Sequence, residues 1–238
     1  MINYYISRCL LLACLMLSVA PLASAQTWVI NIPSADVVPE KKLYVEFDFY
    51  GPLRSNQNGG SQTYFARALY GLTKNVEVGT NVVWSKSATP DLPVEIQPTI
   101  KWQYYKNEKN GIVLSGGING FFTVANRTNT DNFGQVYTSA SKKIAGKYGP
   151  RFTGGGYRLV GRENNLGSKG GALVGFEQPL HSKVTWINDW FSGSNRFGYA
   201  STGFSIVPNT KTAIGVTYSI GNQGRGNNGL FTWVGYTF

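Results

Sequence analysis

From Lys42 to Phe238 the sequence is a succession of short runs in which apolar and polar residues alternate, separated by breaks rich in Gly, Asn, Ser and Pro. In the first run Leu43, Val45, Phe47 and Phe49 fall on one face, and Tyr44, Glu46, Asp48 and Tyr50 on the other. A period of two is the spacing of a β-strand with two unlike faces. Further runs cover Thr63–Leu72, Val76–Ser85, Val94–Tyr105, Gly111–Val124, Gly134–Ala145 and Arg151–Gly161. The chain continues with Gly170–Gln178, Val184–Phe191, Gly198–Val207, Thr212–Ile220 and Leu230–Phe238, twelve runs in all. Lys142-Lys143 and Gly154-Gly155-Gly156 blur the sixth and seventh, so the alternation alone bounds the count between ten and fourteen. Pro98, inside the fourth run, removes a ladder bond and predicts a bulge there.

Composition decides which face meets what. Charged residues make up only 14% of the chain, which holds 29 Gly, 14 Tyr and 13 Phe. Soluble domains carry about a quarter charged residues, so this chain has too little charge to coat a water-facing surface. No stretch beyond the N-terminal leader is long and apolar enough for a transmembrane helix. A sheet can cross hydrocarbon only when it closes on itself, because every backbone N–H and C=O must find a partner inside the structure. The predicted fold is therefore all-β: a transmembrane, antiparallel, up-and-down β-barrel of twelve strands over residues 41–238. Breaks after odd-numbered runs (Gly51–Gln62, Ala125–Phe133, Arg162–Lys169, Gly221–Gly229) are long, and most after even-numbered runs are short, such as Thr73-Lys74-Asn75. That asymmetry predicts both termini on the periplasmic side.

The chain ends support export. Arg8 precedes the apolar run Cys9 to Val19, and Ala23-Ser24-Ala25 has the small-x-small form of a cleavage site. Residues 1–25 are thus expected to be a cleaved signal peptide. Leu11-Leu12-Ala13-Cys14 has the form of a lipoprotein box, but the apolar stretch runs well past it. Residues 26–40, with Pro33 and Pro39 and no alternation, are expected as a periplasmic lead-in outside the sheet. At the other end Leu230, Val234, Tyr236 and Phe238 share a face, and Phe238 is the last residue. This ending resembles the C-terminal signature of bacterial outer-membrane β-barrels, which implies an outer-membrane location, contact with outer-membrane lipid and engagement of the barrel-assembly machinery through the strand ending at Phe238.

Several chemistries are disfavoured. Cys9 and Cys14 both fall in the leader, leaving the exported chain without disulfides or a thiolate metal site. The net charge of +10 falls to +9 once Arg8 is removed, since no acidic residue precedes Asp36. The Lys and Arg residues are scattered singly and form no stripe, so nucleic acid is not an expected partner. The single histidine, His181, sits in the turn-like Pro179-Leu180-His181-Ser182, and the adjacent Ser182 would point away from it if strand geometry persisted there. A hydrolase needs a general base within reach of its nucleophile, and this pattern does not supply one; no enzyme activity and no cofactor are expected.

The inward faces carry the remaining chemistry. Glu46 and Asp48, Arg67, Glu77, Glu95, Lys101, Lys143, Glu177 and Asp189 fall on the predicted lumen face, with Arg158 a further candidate. These residues fit a pore lining that sets selectivity by local field and width. They equally fit a cross-lumen network of ion pairs that fills a narrow barrel. Twelve strands lie between filled eight-stranded barrels and open porins of sixteen or more.

Two motifs carry a family likeness. Tyr70-Gly71-Leu72-Thr73-Lys74-Asn75-Val76-Glu77-Val78-Gly79 resembles the strand–turn–strand element of outer-membrane transporter-like barrels of the phenol-degradation-operon type, and Asn188-Asp189-Trp190-Phe191-Ser192-Gly193 looks like another such element. The resemblance implies architecture and compartment more than a substrate. The leading expectation is a small porin-like channel passing small solutes by diffusion through the lumen lined by these charges; the alternative is a non-conducting structural or adhesive barrel whose lumen is blocked, with residues 26–40 as the candidate obstruction.

Overall fold

A computed structural model describes residues 27–52, 60–87, 92–126, 132–161, 166–223 and 228–238. The expected leader, Gln26 and the middle of most of the long connections lie outside the described residues. Twelve strands form: β1 (Leu43–Gly51), β2 (Gln62–Gly71), β3 (Val76–Lys86), β4 (Val94–Asn107), β5 (Ile112–Ala125), β6 (Phe133–Lys143), β7 (Arg151–Val160), β8 (Gly170–His181), β9 (Val184–Phe191), β10 (Tyr199–Ile206), β11 (Thr212–Gly221) and β12 (Gly229–Thr237). Each pairs antiparallel with its neighbours in sequence, and β1 pairs with β12, so the sheet closes with no edge. The seam runs from Tyr44↔Thr237 to Gly51↔Leu230, and the N–H of Phe238 extends it by donating to the Leu43 carbonyl at 2.9 Å.

Alternation sorts the side chains as expected. Every strand places large apolar residues on the outside, for example Phe47, Trp102, Ile118, Val160, Val174, Phe204, Ile220 and Val234, all exposed. A largely apolar wall of this kind is stable against hydrocarbon and costly in water. Aromatic residues gather toward both ends of that wall. Trp102, Trp186 and Tyr236 lie toward the short-turn end, and Trp84 and Trp190 toward the long-loop end. The indole N–H groups of Trp186 and Trp190 donate to Thr202 Oγ1 and Asn222 Oδ1, both at 3.1 Å.

Two local expectations are corrected. Pro98 makes no bulge: it stays in register with Thr80 of β3, and the β4–β5 register is the same at Ile96↔Phe122 and Thr99↔Asn119. The β4–β5 irregularities lie instead at Val94/Glu95 and Gln103/Tyr105, so the ladder tolerates a missing donor where the strand runs on without slipping. Arg158 is exposed on the outer face of β7, because Tyr157 and Leu159 occupy the inward positions. Strand geometry does not persist at Ser182, where the chain reverses between β8 and β9, and its Oγ lies 3.4 Å from His181 Nδ1.

The segment expected either as a lead-in outside the sheet or as an obstruction of the lumen enters the barrel: residues 27–38 lie inside it, and Pro39 and Glu40 are exposed. They form a narrow hairpin: Val29 N–H donates to Ile32 O and Ser34 N–H to Thr27 O, each at 3.0 Å, and Trp28 bridges Pro33. Thr27, Val29, Ile30, Ile32, Ser34, Ala35 and Val38 are all buried. The chain leaves the interior at the short-turn end, where Lys41 N–H donates to Gly71 O at 2.8 Å, and β1 begins. The physical reason is space. The inward positions of β6 to β10 include Ser139, Ser141, Thr153, Gly175, Ser201 and Ser205, which leave a trough along one wall. A Cβ on Gly175 would stand 2.9 Å from Ile32 Cδ1, so the hairpin lies directly on that backbone.

Candidate functional site

The site is the barrel interior, built from the inward residues of all twelve strands, the hairpin and the connection between β9 and β10. Three of the expected lumen charges hold the hairpin. Asp189 on β9 points one oxygen, Oδ2, at the tip, where it accepts the consecutive N–H groups of Ile30 (3.1 Å), Asn31 and Ile32 (3.0 Å). Successive N–H groups converging on one anion form a nest, and charge makes each bond stronger than a neutral one. Asn31 also donates through Nδ2 to Ser201 Oγ at 2.8 Å. Nearer the short-turn end Glu77 accepts from Val38 N–H at 2.8 Å and Thr27 Oγ1 at 3.3 Å. Lys101, on the neighbouring strand, donates to the carbonyls of Thr27 (2.8 Å) and Asp36 (3.0 Å).

Neutral groups continue the grip. Gln103 Nε2 donates to Ala35 O at 3.1 Å, Ser139 Oγ to Pro33 O at 2.9 Å, and Ala35 N–H to Ser141 Oγ at 3.2 Å. Arg151 pairs with Asp36 and stands 3.7 Å from Glu177 Oε2. Lys143 ends β6 in register with Arg151 but is exposed, at the rim of this group. Val38, Tyr44 and Leu69 pack together as a buried apolar cluster where the hairpin returns toward β1.

Glu46, Asp48 and Arg67 form a second group on β1 and β2. Arg67 donates to Glu46 Oε1 at 2.7 Å and to Asn81 Oδ1 at 2.9 Å, and lies 3.7 Å from Asp48 Oδ2. Tyr44 donates its hydroxyl to Glu46, and Trp28 of the hairpin covers the guanidinium, 5.0 Å from ring centre to Cζ. Glu95, the remaining candidate, lies toward the long-loop end. Arg196, from the β9–β10 connection, reaches across the interior to bind it with both nitrogens, at 2.6 and 2.7 Å. The same guanidinium lies 5.2–5.6 Å from the ring centres of Phe121, Phe133 and Phe197, so the connection folds inward over an aromatic pad.

Between hairpin and connection lies a cavity of about 430 Å³. Its wall is mainly the inward side of β1 to β6, including Arg67, Asn81, Gln97 and Asn119, completed by Phe191 of β9, Tyr199 of β10 and Phe231 of β12, with Trp28 and Asn31 beneath and Arg196 and Phe197 above. Sequence reasoning found the strand-borne charges through their parity. It missed Trp28, Asp36, Arg151 and Arg196; Asp36 and Trp28 lie outside any alternating run, and Arg196 lies in a connection. His181 and Ser182 are exposed in their turn and do not line this cavity. Among the described residues no cluster of three His, Cys, Asp or Glu is placed to hold a metal ion.

No family model matches the chain, and no curated protein matches it. Solved structures do. An outer membrane channel from Pseudomonas putida F1 superposes with a TM-score of 0.52 at 14% identity, covering 86% of this chain and 98% of the channel. The shared property is the fold. Outer membrane phospholipase A from Escherichia coli aligns over 84% of this chain and 93% of its own, at 12% identity and a TM-score of 0.48. The chain thus has the fold of outer-membrane β-barrels: closed, antiparallel and twelve-stranded.

Proposed function

We propose that the chain is a bacterial outer-membrane channel that passes small solutes by diffusion, with residues 27–40 forming its constriction. The observation that carries this reading is the polar and aromatic cavity inside a closed barrel with an apolar outer wall. The hairpin lies against β6–β10 and is gripped from β3 and β4 toward the short-turn end, and beyond it Arg67, Asn81 and Gln97 remain as wall that a solute would meet. In this reading residues 1–25 are cleaved on export, the short turns and both termini face the periplasm, and the strand ending at Phe238 is read by the barrel-assembly machinery. The outward aromatic residues contact outer-membrane lipid. The likeness to a channel of known structure is one of fold and adds no solute. No catalytic role is assigned to His181, which is remote from the cavity and exposed.

A second reading, a non-conducting barrel, draws on the buried Val38–Tyr44–Leu69 cluster and the buried Glu77–Lys101 pair, which occupy the interior toward the short-turn end. Planar-bilayer recording separates the two. The mature chain is expected to give small, steady conductance steps, and a variant lacking residues 27–38 larger ones. No conductance from either form removes the channel reading.

A further inference from the structure

The short-turn end of the barrel is basic all the way round. The chain meets that end at its entry into β1 and at the turns β2–β3, β4–β5, β6–β7, β8–β9 and β10–β11. Every meeting carries an exposed lysine: Lys42, Lys74, Lys109, Lys147, Lys183 and Lys211. Lys41, Lys106, Lys142 and Lys143 are exposed there as well. Among the described residues two exposed acids stand with this set, Glu40 and Glu108, and Glu108 is taken by Lys106 at 2.8 Å. Lys42, Lys74, Lys109 and Lys183 make no ion pair among the described residues. Lysines so lightly neutralised repel one another and attract anions. The long connections at the other end mix signs in sequence, as in Arg127, Asp131, Arg162 and Glu163.

The layout of this charge selects the anion. A compact acidic protein would be met by a patch on one side, and a soluble ion by a few groups converging on one point. Here the charges circle the barrel where its apolar wall ends, and several are turned outward. Lys142 shares the outward row of Ile112 and Phe152. Lys147 Nζ lies 5.4 Å from the ring centre of Tyr148, which is exposed. Lys211 Nζ lies 5.7 Å from that of Tyr236, an outward residue that meets Phe238 edge-on at 4.8 Å. An ammonium beside an exposed girdle ring is at headgroup depth, where the lysine stem lies along apolar surface and the charge stays in water. A leaflet bearing anionic headgroups surrounds a barrel on every side, and lysines close to its surface are drawn to it.

We infer that the lysine ring binds the headgroups of anionic glycerophospholipids in the leaflet at the short-turn end and enriches them around the barrel. The inference does not depend on conduction through the lumen. With that end toward the periplasm, as proposed above, these lipids belong to the periplasmic leaflet.

Tryptophan quenching by brominated lipids reads the two ends separately. Trp102 and Trp186 report on the short-turn end and Trp84 and Trp190 on the long-loop end, while Trp28 and Trp233 lie inside the barrel. The mature barrel is reconstituted in phosphatidylcholine vesicles with brominated phosphatidylglycerol or brominated phosphatidylcholine as quencher. One form carries Trp84→Phe and Trp190→Phe, the other Trp102→Phe and Trp186→Phe. At the short-turn end phosphatidylglycerol is expected to be preferred by at least about threefold in about 0.05 M salt, and the preference to vanish in about 0.5 M salt. The long-loop end is expected to show a smaller preference.

Lys74→Gln, Lys109→Gln, Lys147→Gln, Lys183→Gln and Lys211→Gln together are expected to remove the preference; none of these side chains holds the hairpin. Lys109→Gln with Lys147→Gln is expected to reduce it, and serves if the larger set does not fold. No preference at the short-turn end, an equal one at both ends, or one unchanged in the folded variants overturns the inference. Inorganic phosphate and chloride of equal ionic strength are expected to weaken the preference alike. Loss to phosphate alone would assign the lysines to a soluble anion and overturns it too.

Discussion

Lys101 Nζ stands 3.5 Å from Glu77 Oε1 across the β3–β4 ladder, and each of these buried side chains also holds the hairpin, the ammonium through carbonyls and the carboxylate through an N–H and a hydroxyl. Neither charge is exposed to an aqueous path. The pair works as a clamp on residues 27–38, and both partners depend on that segment for the rest of their hydrogen bonds.

Breaking the clamp at one end is therefore costly. Lys101→Met leaves Glu77 buried without its cation, and removal of one partner of a buried pair costs about 3–5 kcal/mol. Combining it with Glu77→Gln is expected to recover most of that loss. Urea unfolding of the two single variants and the double variant in detergent checks this; independent, additive losses would mean the two groups do not act together.

Asp189→Ala strips the acceptor from three N–H groups at the hairpin tip. Each buried donor left without a partner costs about 1–3 kcal/mol, more than so short a segment can lose and stay docked. Amide hydrogen exchange at Ile30, Asn31 and Ile32 is expected to accelerate by at least tenfold, while β1 to β12 keep their protection. Unchanged exchange at the tip would show that packing on Gly175 alone holds the hairpin.

Arg196→Gln acts on access. The Arg196 side chain is 43% exposed, and ion pairs so exposed contribute about 0–1 kcal/mol, so thermal stability is expected to stay the same. The β9–β10 connection loses its bond to Glu95 and its cation–π contacts. A thiol placed in the cavity by Asn119→Cys should then react with a small maleimide several-fold faster than in the parent. An unchanged rate would show that this connection does not control entry.

Gly215→Ala tests close packing at the β11–β12 pair. A Cβ there would fall 2.0 Å from Cζ2 of Trp233, its register partner, so the indole must move or the strands part. Overpacking of this kind costs about 1–3 kcal/mol. Gly134→Ala, where the nearest atoms lie at 3.8 Å, is the control and should be near neutral. Equal melting temperatures for the two variants would contradict the packing described.

The strands were legible because alternation is a local property. Glu77, Lys101 and Asp189 are inward by parity alone, and the twelve runs coincide with twelve strands even where Gly154-Gly155-Gly156 weakened the pattern. Their partners were not legible. Whether Asp189 meets solute or backbone depends on what fills the lumen, and that depends on side-chain volumes summed across strands far apart in sequence. Ser139, Ser141, Gly175 and Ser201 each read as ordinary small residues; only their adjacency around one wall makes room for residues 27–40. The Pro98 expectation failed for a related reason: a missing donor predicts a lost bond, but the neighbouring pairs determine whether the register shifts.

The seam has a consequence for the order of assembly. The barrel is shut by joining its first strand to its last, Val45 beside Tyr236, whereas the tip of the hairpin that precedes β1 is fastened to β6 and β9 on the far wall. A sheet that sealed before Ile32 had reached Asp189 would have to admit the N-terminal stretch afterwards through its narrow end. Insertion and closure are consequently coupled events, and a delay in the first would be seen as a delay in the second.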